Sequence, residues 1–166
     1  MRVSIKLTMA GMLYAAILPL ANASCVVPAT IVAVLDGDTV RVVDSASQEY
    51  LIGLIAANAP QPGQPHADEA TEHLATMIQD QPVCLDPMET DDQQRVIAKV
   101  HWQNKDVSLE MLKAGYAWYD TIYQHLQTDN EIRKYSSTEL RASIDSLGLW
   151  ENQHPIPPWN WTLSSN

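Results

Sequence analysis

The sequence predicts an α+β domain in which five strands close into a small barrel that carries about three helices. Three observations point there. β-branched runs separated by turn residues fill the chain from Ala29 to Ala56, a helix-periodic segment follows the third run, and two more strands and two more helical segments come after it. Five strands with a helix between the third and the fourth is the order of an OB-fold barrel, with the later helices packed on its outside and underside.

The first two strands come from "ATIVAVLDGDTVRVVD", residues 29–44, where two β-branched runs flank Asp36-Gly37-Asp38. Asp and Gly tolerate the backbone angles of a tight reversal, so this is a turn. "QEYLIGLIA" (48–56) is a third strand, nearly all apolar and so expected to be buried. The chain then breaks on Asn58, Pro60, Pro62 and Pro65 and restarts as a helix at about Ala67. In "ADEATEHLATMI" (67–78), Ala67, Ala70, Leu74, Met77 and Ile78 share one helical face. "QPVCLD" and "RVIAKVHW" are the last two strands, separated by the acidic turn "PMETDDQQ". "SLEMLKAG" reads as a short helix capped by Ser108 and stopped at Gly115. The final helix runs from near Asp129 to Gly148, with Ile132, Leu140, Ile144 and Leu147 as its inward stripe. In the proline-stiffened tail "HPIPPWNW", Trp159 and Trp161 are expected to cover apolar barrel surface.

The 166 residues suffice for one domain with its own core, and the first stretch is not part of it. Arg2 and Lys6 precede the apolar run "LTMAGMLYAAILPL", and "ANAS" follows with small residues in a cleavage pattern. Residues 1–23 therefore read as a secretory signal peptide cut after about Ala23, which leaves 24–166 as the domain of a secreted or periplasmic protein. The run is short for a membrane span and Pro19 interrupts it, while a lipid on Cys25 would call for a branched apolar residue where Asn22 stands. Cleavage removes Arg2 and Lys6 and no acids, so the formal charge moves from −10 to −12. So acidic a chain repels phosphate backbones at long range, which disfavours nonspecific nucleic-acid binding but leaves room for a small basic cleft or a metal-bridged contact. Cys25 and Cys84 remain in an oxidising compartment, where a disulfide and two separate thiols are both open.

Five segments, "DGDTVRV", "LIAANAPQPGQPHADEA", "RVIAKV", "LKAGYAW" and "LGLWENQHPIPPWNW", resemble in that order the staphylococcal nuclease (thermonuclease) family, over about Thr30 to Trp161. The resemblance implies an OB-fold barrel with three helices and a secreted, calcium-dependent phosphodiesterase acting on DNA and RNA. It also implies a division of labour. An Asp of the D-G-D-T turn, the Asp that opens a D-A-P-E turn and a backbone carbonyl hold calcium. The Glu of that second turn positions or activates the attacking water, and two arginines clamp the phosphate, whose equatorial oxygens gain charge in the transition state. Carried over without gaps, Asp38 stands at the first calcium position and Arg95 at the second phosphate arginine. Asn58 stands where the other calcium Asp belongs, Gln61 where the Glu belongs, and Gly53 where the first arginine belongs. No shift of register recovers that arginine, because "QEYLIGLIAANAPQ" contains none. The resemblance also sets Trp118, Tyr119 and Tyr123 near a nucleotide pocket, with Trp118 and Tyr123 as candidate substrate contacts.

Asn and Gln keep the shape of Asp and Glu but carry no charge and take no proton at neutral pH. A general base contributes roughly 10²–10⁴-fold in rate, and a hard cation prefers carboxylates, so calcium binding is expected to be weak or absent. Each residue also has a plainer reading. Asp36 and Asp38 serve as turn formers, Arg95 as a surface partner of Asp91 or Asp92, Asn58 and Gln61 as turn hydrogen bonders, and Trp118 and Tyr123 as packing. His66, Glu69 and His73 have the helical spacing of a zinc site but no visible fourth ligand, and read as a solvated face. The expectation is a secreted thermonuclease-like pseudoenzyme with a degenerate active site, acting as a binding module for an unknown ligand in the barrel mouth. The alternatives are a weak calcium-dependent nuclease hydrolysing phosphodiester bonds in DNA or RNA, and a structural envelope protein.

Overall fold

The computed structural model describes residues 25–162, so the expected signal peptide, residues 1–23, lies outside the described residues. Strand β1 (Val27–Val34) runs antiparallel to β2 (Thr39–Asp44), and β2 to β3 (Glu49–Leu54). The two-residue β4 (Ala57–Asn58) follows, then helix α1 (Ala67–Ile78). Strand β5 (Pro82–Thr90) pairs antiparallel with β1 and with β6 (Val96–Trp102). The barrel closes where β3 and β6 pair in parallel, Gly53 opposite Ile97. Strand β7 (Lys105–Asp106) folds back on β6 and leads into α2 (Val107–Ala114), β8 (Trp118–Tyr119) pairs with β4, and α3 (Asp129–Ile144) packs on α2. This is the α+β, five-stranded OB-fold barrel with three helices that the order of elements predicts.

The interior follows from two periodicities. Along β2, Val40 and Val42 are buried while Arg41 between them is exposed. Along α1, Ala67, Ala70, Leu74 and Ile78 are buried, as the helical spacing requires. No helix of the described residues is long and apolar enough to cross a membrane.

Four local expectations are corrected. β5 runs on to Thr90 through the stretch read as an acidic turn. A register shift between Pro87 and Glu89 accommodates the proline, which has no N–H for the ladder, and the turn proper is Asp91–Gln94. The cap of α2 is Asp106, whose Oδ1 accepts from the Leu109 N–H at 3.2 Å, while Ser108 is buried within the first turn. α3 ends at Ile144 and buries Tyr135 and Ala142, whereas Leu140 and Ile144 are 59% and 67% exposed. Tyr135 can be buried because its hydroxyl donates to Asp106, and Ala142 on the same face is small. Trp159 is exposed and Trp161 only partly covered, so the tail shields less than its composition suggests.

Cys25 and Cys84 are joined by a disulfide, Cα–Cα 5.4 Å, beside the β1–β5 pairing of Pro28 with Cys84. The bridge spans 59 positions, and closing a loop of that size stabilises a fold by up to ~4 kcal/mol. Cys84→Ser should therefore lower the urea midpoint. An identical midpoint for the variant and the oxidised protein would contradict this.

Candidate active site at the barrel mouth

Three turns meet at one end of the barrel, and Asp38 ties them together. In the β1–β2 turn, Asp36 Oδ1 accepts from the Asp38 N–H at 3.0 Å. Gly37 lies between them because a Cβ there would stand 2.6 Å from Ala59 Cβ and 2.8 Å from Ala70 Cβ. That close approach presses the turn against the loop after β4 and against α1. The Asp38 carbonyl accepts from the Leu54 N–H at 2.8 Å. Its carboxylate accepts from the Ala59 N–H at 2.7 Å through Oδ2 and from the Thr39 hydroxyl at 2.9 Å through Oδ1. Burial, reinforced by the neighbouring Asp36 carboxylate, outweighs these donors and pushes the Asp38 carboxyl up to about 7.

Arg95 enters from the third turn. Asp91 Oδ1 accepts from the Arg95 backbone N–H at 2.9 Å and Asp91 Oδ2 from Arg95 Nε at 2.8 Å. Arg95 Nη1 donates to Thr39 Oγ1 at 2.9 Å and lies 3.5 Å from Asp38 Oδ1. Burial would raise the Asp91 carboxyl, but the hydrogen bonds and charge of Arg95 win and hold it below the usual range. Gly53 faces the same space. A Cβ on it would stand 2.8 Å from Ile97 Cδ1, so the end of the isoleucine side chain would have to shift for any side chain at 53, and 3.5 Å from Arg95 Cζ, an ordinary van der Waals contact.

Asn58 Nδ2 donates to Asp120 Oδ2 at 3.0 Å. Gln61 is exposed, and its N–H donates to Gln64 Oε1 at 2.9 Å. Asp38, Gly53, Asn58, Gln61, Arg95 and Tyr123, all singled out in the sequence, line one cavity of about 240 Å3. Trp118 does not. It is buried edge-on against Trp150, ring centroids 5.9 Å apart, beside a smaller hollow near Gln64 and His66, so its expected place beside Tyr123 is corrected. Asp36, Gln93 and Asp120 also line the cavity. Asp120 carried no signal in the sequence, since it meets Asn58 across 62 positions.

Among the described residues, no group of three or more His, Cys, Asp or Glu side chains is placed to hold a metal ion. His66 Nδ1 is 3.9 Å from Glu69, and His73 lies against the Tyr116 ring at 4.9 Å between centroids.

A family model, that of the staphylococcal nuclease homologues, matches residues 51–152. The chain belongs to this family. A protein of Haemophilus influenzae described as an uncharacterized endonuclease is 28% identical over 131 residues, 79% of this chain and 70% of that protein. An Escherichia coli protein with the same description is 29% identical over 132 residues, 79% of this chain and 82% of that protein. A probable staphylococcal-like nuclease of Oryza sativa subsp. japonica is 30% identical over 115 residues, 69% of this chain and 33% of the plant protein. The family match begins at Leu51 and so covers Gly53, Asn58, Gln61 and Arg95, while Asp38 lies before it.

The raised Asp38 carboxyl has a definite sign in stability. Its folded value of about 7 stands above the ordinary 3.8, so the folded state holds an extra proton between the two. The stabilisation is complete below pH 3.8 and is lost as the pH rises through about 7. Asp38→Asn carries no such proton. The difference in unfolding free energy between wild type and variant should shift against the wild type by up to ~1.4 kcal/mol per pH unit inside that window. Urea titrations at several pH values read this directly, and a difference independent of pH would refute the assignment.

Proposed function

We propose that this is a secreted or periplasmic thermonuclease-like domain that has lost most or all phosphodiesterase activity and acts as a binding module through its barrel mouth. The observation that carries the reading is the state of the cavity's cation. Arg95 is turned onto Asp91, Thr39 and Asp38, and no second arginine stands at Gly53. A phosphate would meet the lining carboxylates of Asp36 and Asp120, with Asp38 behind them, against one guanidinium that is already paired. Asn58 and Gln61 offer amides where a metal ligand and a base belong.

The residues present do not fit a calcium ion. Calcium takes roughly six to eight oxygens from carboxylates, carbonyls and water, and the carboxylates supply the charge that holds it. Among the described residues no three carboxylates or imidazoles converge on one point, and the Arg95 guanidinium stands 3.5 Å from Asp38 Oδ1, where a cation would be repelled. Calcium binding is accordingly weak or absent in this reading. The competing reading is a weak calcium-dependent nuclease. Asp120 supports it by bringing a carboxylate beside Asn58, and the endonuclease descriptions of the bacterial relatives lean the same way.

Cleavage of single-stranded DNA, with and without calcium, separates the two. The expected rate is at least about 10²–10⁴-fold below that of a relative with both carboxylates and both arginines. Robust calcium-dependent cleavage abolished by Arg95→Ala would overturn the proposal. Restoring the charges tests the same point from the other side. Gly53→Arg, Asn58→Asp and Gln61→Glu together should regain cleavage only as far as the end of the Ile97 side chain yields, because its Cδ1 stands 2.8 Å from the position of a Cβ on Gly53. Adding Ile97→Val removes that obstacle, and the fourfold variant should gain calcium-dependent cleavage over the threefold one. A fourfold variant that folds and still cleaves nothing would show that the mouth lost more than its charges.

A further inference from the structure

Two openings adjoin at the barrel mouth. The cavity shares Asn58 and Asp120 with a shallow groove lined by Thr121, Ile122 and Trp159. Ile122 is 66% and Trp159 58% exposed. Large apolar side chains left in solvent along one groove mark a contact surface.

Size limits what can enter. At about 240 Å3 the cavity falls below the roughly 300–1,000 Å3 of pockets that enclose whole small molecules. It has room for a single side chain, with the owner of that side chain lying outside along the groove.

Charge selects which one. Asp36, Asp38 and Asp120 line the cavity, and its one cation, Arg95, is answered by Asp91 at 2.8 Å. Asn58 and Gln61 add amide oxygens, which accept from N–H donors. Tyr123 contributes a ring in the cavity and Trp159 one in the groove, and such faces attract cations. A carboxylate or phosphate entering here would be repelled by Asp36 and Asp120.

Resting on the binding-module reading, we propose that the barrel mouth docks a partner protein through a lysine or arginine side chain inserted between Asp36 and Asp120, with the flanking apolar residues of that partner on Ile122 and Trp159. A free polyamine would answer the cavity but leave the groove uncovered, which is why the occupant is a peptide segment.

Acetylated, amidated tripeptides Leu-Lys-Leu, Leu-Arg-Leu, Leu-Gln-Leu and Leu-Glu-Leu test this by NMR titration of the processed protein, beside spermidine and a 5′-phosphorylated thymidine trinucleotide. The basic peptides should move the Gly53 and Asn58 amide resonances and the Trp159 indole, and should bind at least about tenfold more tightly than the neutral and acidic ones. Asp120→Asn should weaken them about tenfold, and Trp159→Ala should weaken them while leaving spermidine unchanged. Asp36→Asn repeats the charge test without touching the Asn58 hydrogen bond should Asp120→Asn fail to fold. Equal binding of all four peptides, no binding of any, spermidine binding as tightly as the lysine peptide, or tighter binding of the trinucleotide would each overturn the inference. Absent cleavage together with absent peptide binding sinks this inference alone, whereas robust cleavage of DNA sinks the reading beneath it.

Discussion

The parallel pairing of β3 with β6 is the contact on which both the barrel and its mouth depend. Ile52, Gly53 and Leu54 lie opposite Val96, Ile97 and Ala98. Parallel neighbours need a long crossover, and here α1 and β5 supply it. A slip of β3 by one residue would turn Ile52 out of the core and Gly53 away from Arg95, because side chains alternate faces along a strand. The register therefore decides two things together. It buries the core, and it sets Ile97 and the guanidinium of Arg95 against Gly53.

Asp38 does for the loops what that pairing does for the strands. Its carbonyl and carboxylate receive Leu54, Ala59 and Thr39, and Gly37 lets the turn touch Ala59 and Ala70. None of these contacts uses the side chain of Asn58 or Gln61. The mouth can thus keep its shape whichever side chains stand at those two positions, because the fold and the chemistry of its site are separable. The cost is a carboxylate held in a poor solvent for charge, and its raised proton affinity is the trace of that cost.

The order of elements, the buried face of α1 and the turn at Asp36-Gly37-Asp38 were legible in the sequence, because each rests on a period or a turn preference contained within a dozen residues. α3 was not. Leu140 and Ile144 are more apolar than Tyr135 and Ala142, yet the latter pair is buried. Hydropathy could not register that the Tyr135 hydroxyl finds Asp106 from another element. The cap of α2 failed for a related reason. Asp106 and Ser108 are both good capping residues, and only the position where the backbone leaves extended geometry chooses between them. Trp118 and Tyr123 looked alike as aromatics near a pocket, but one packs against Trp150 and the other lines the cavity.

What the sequence determined by itself is the set of chemical groups at the mouth. Gly53 has no guanidinium, Asn58 and Gln61 have amides, and folding cannot supply a side chain that was never encoded. What only the tertiary structure decided is which partners those groups meet. Asp120 reaches Asn58 across 62 positions, and Arg95 divides its donors between a neighbour in its own turn and Thr39 across the barrel. Such pairings depend on distances that barrel closure and packing create, and no local pattern of residues encodes them.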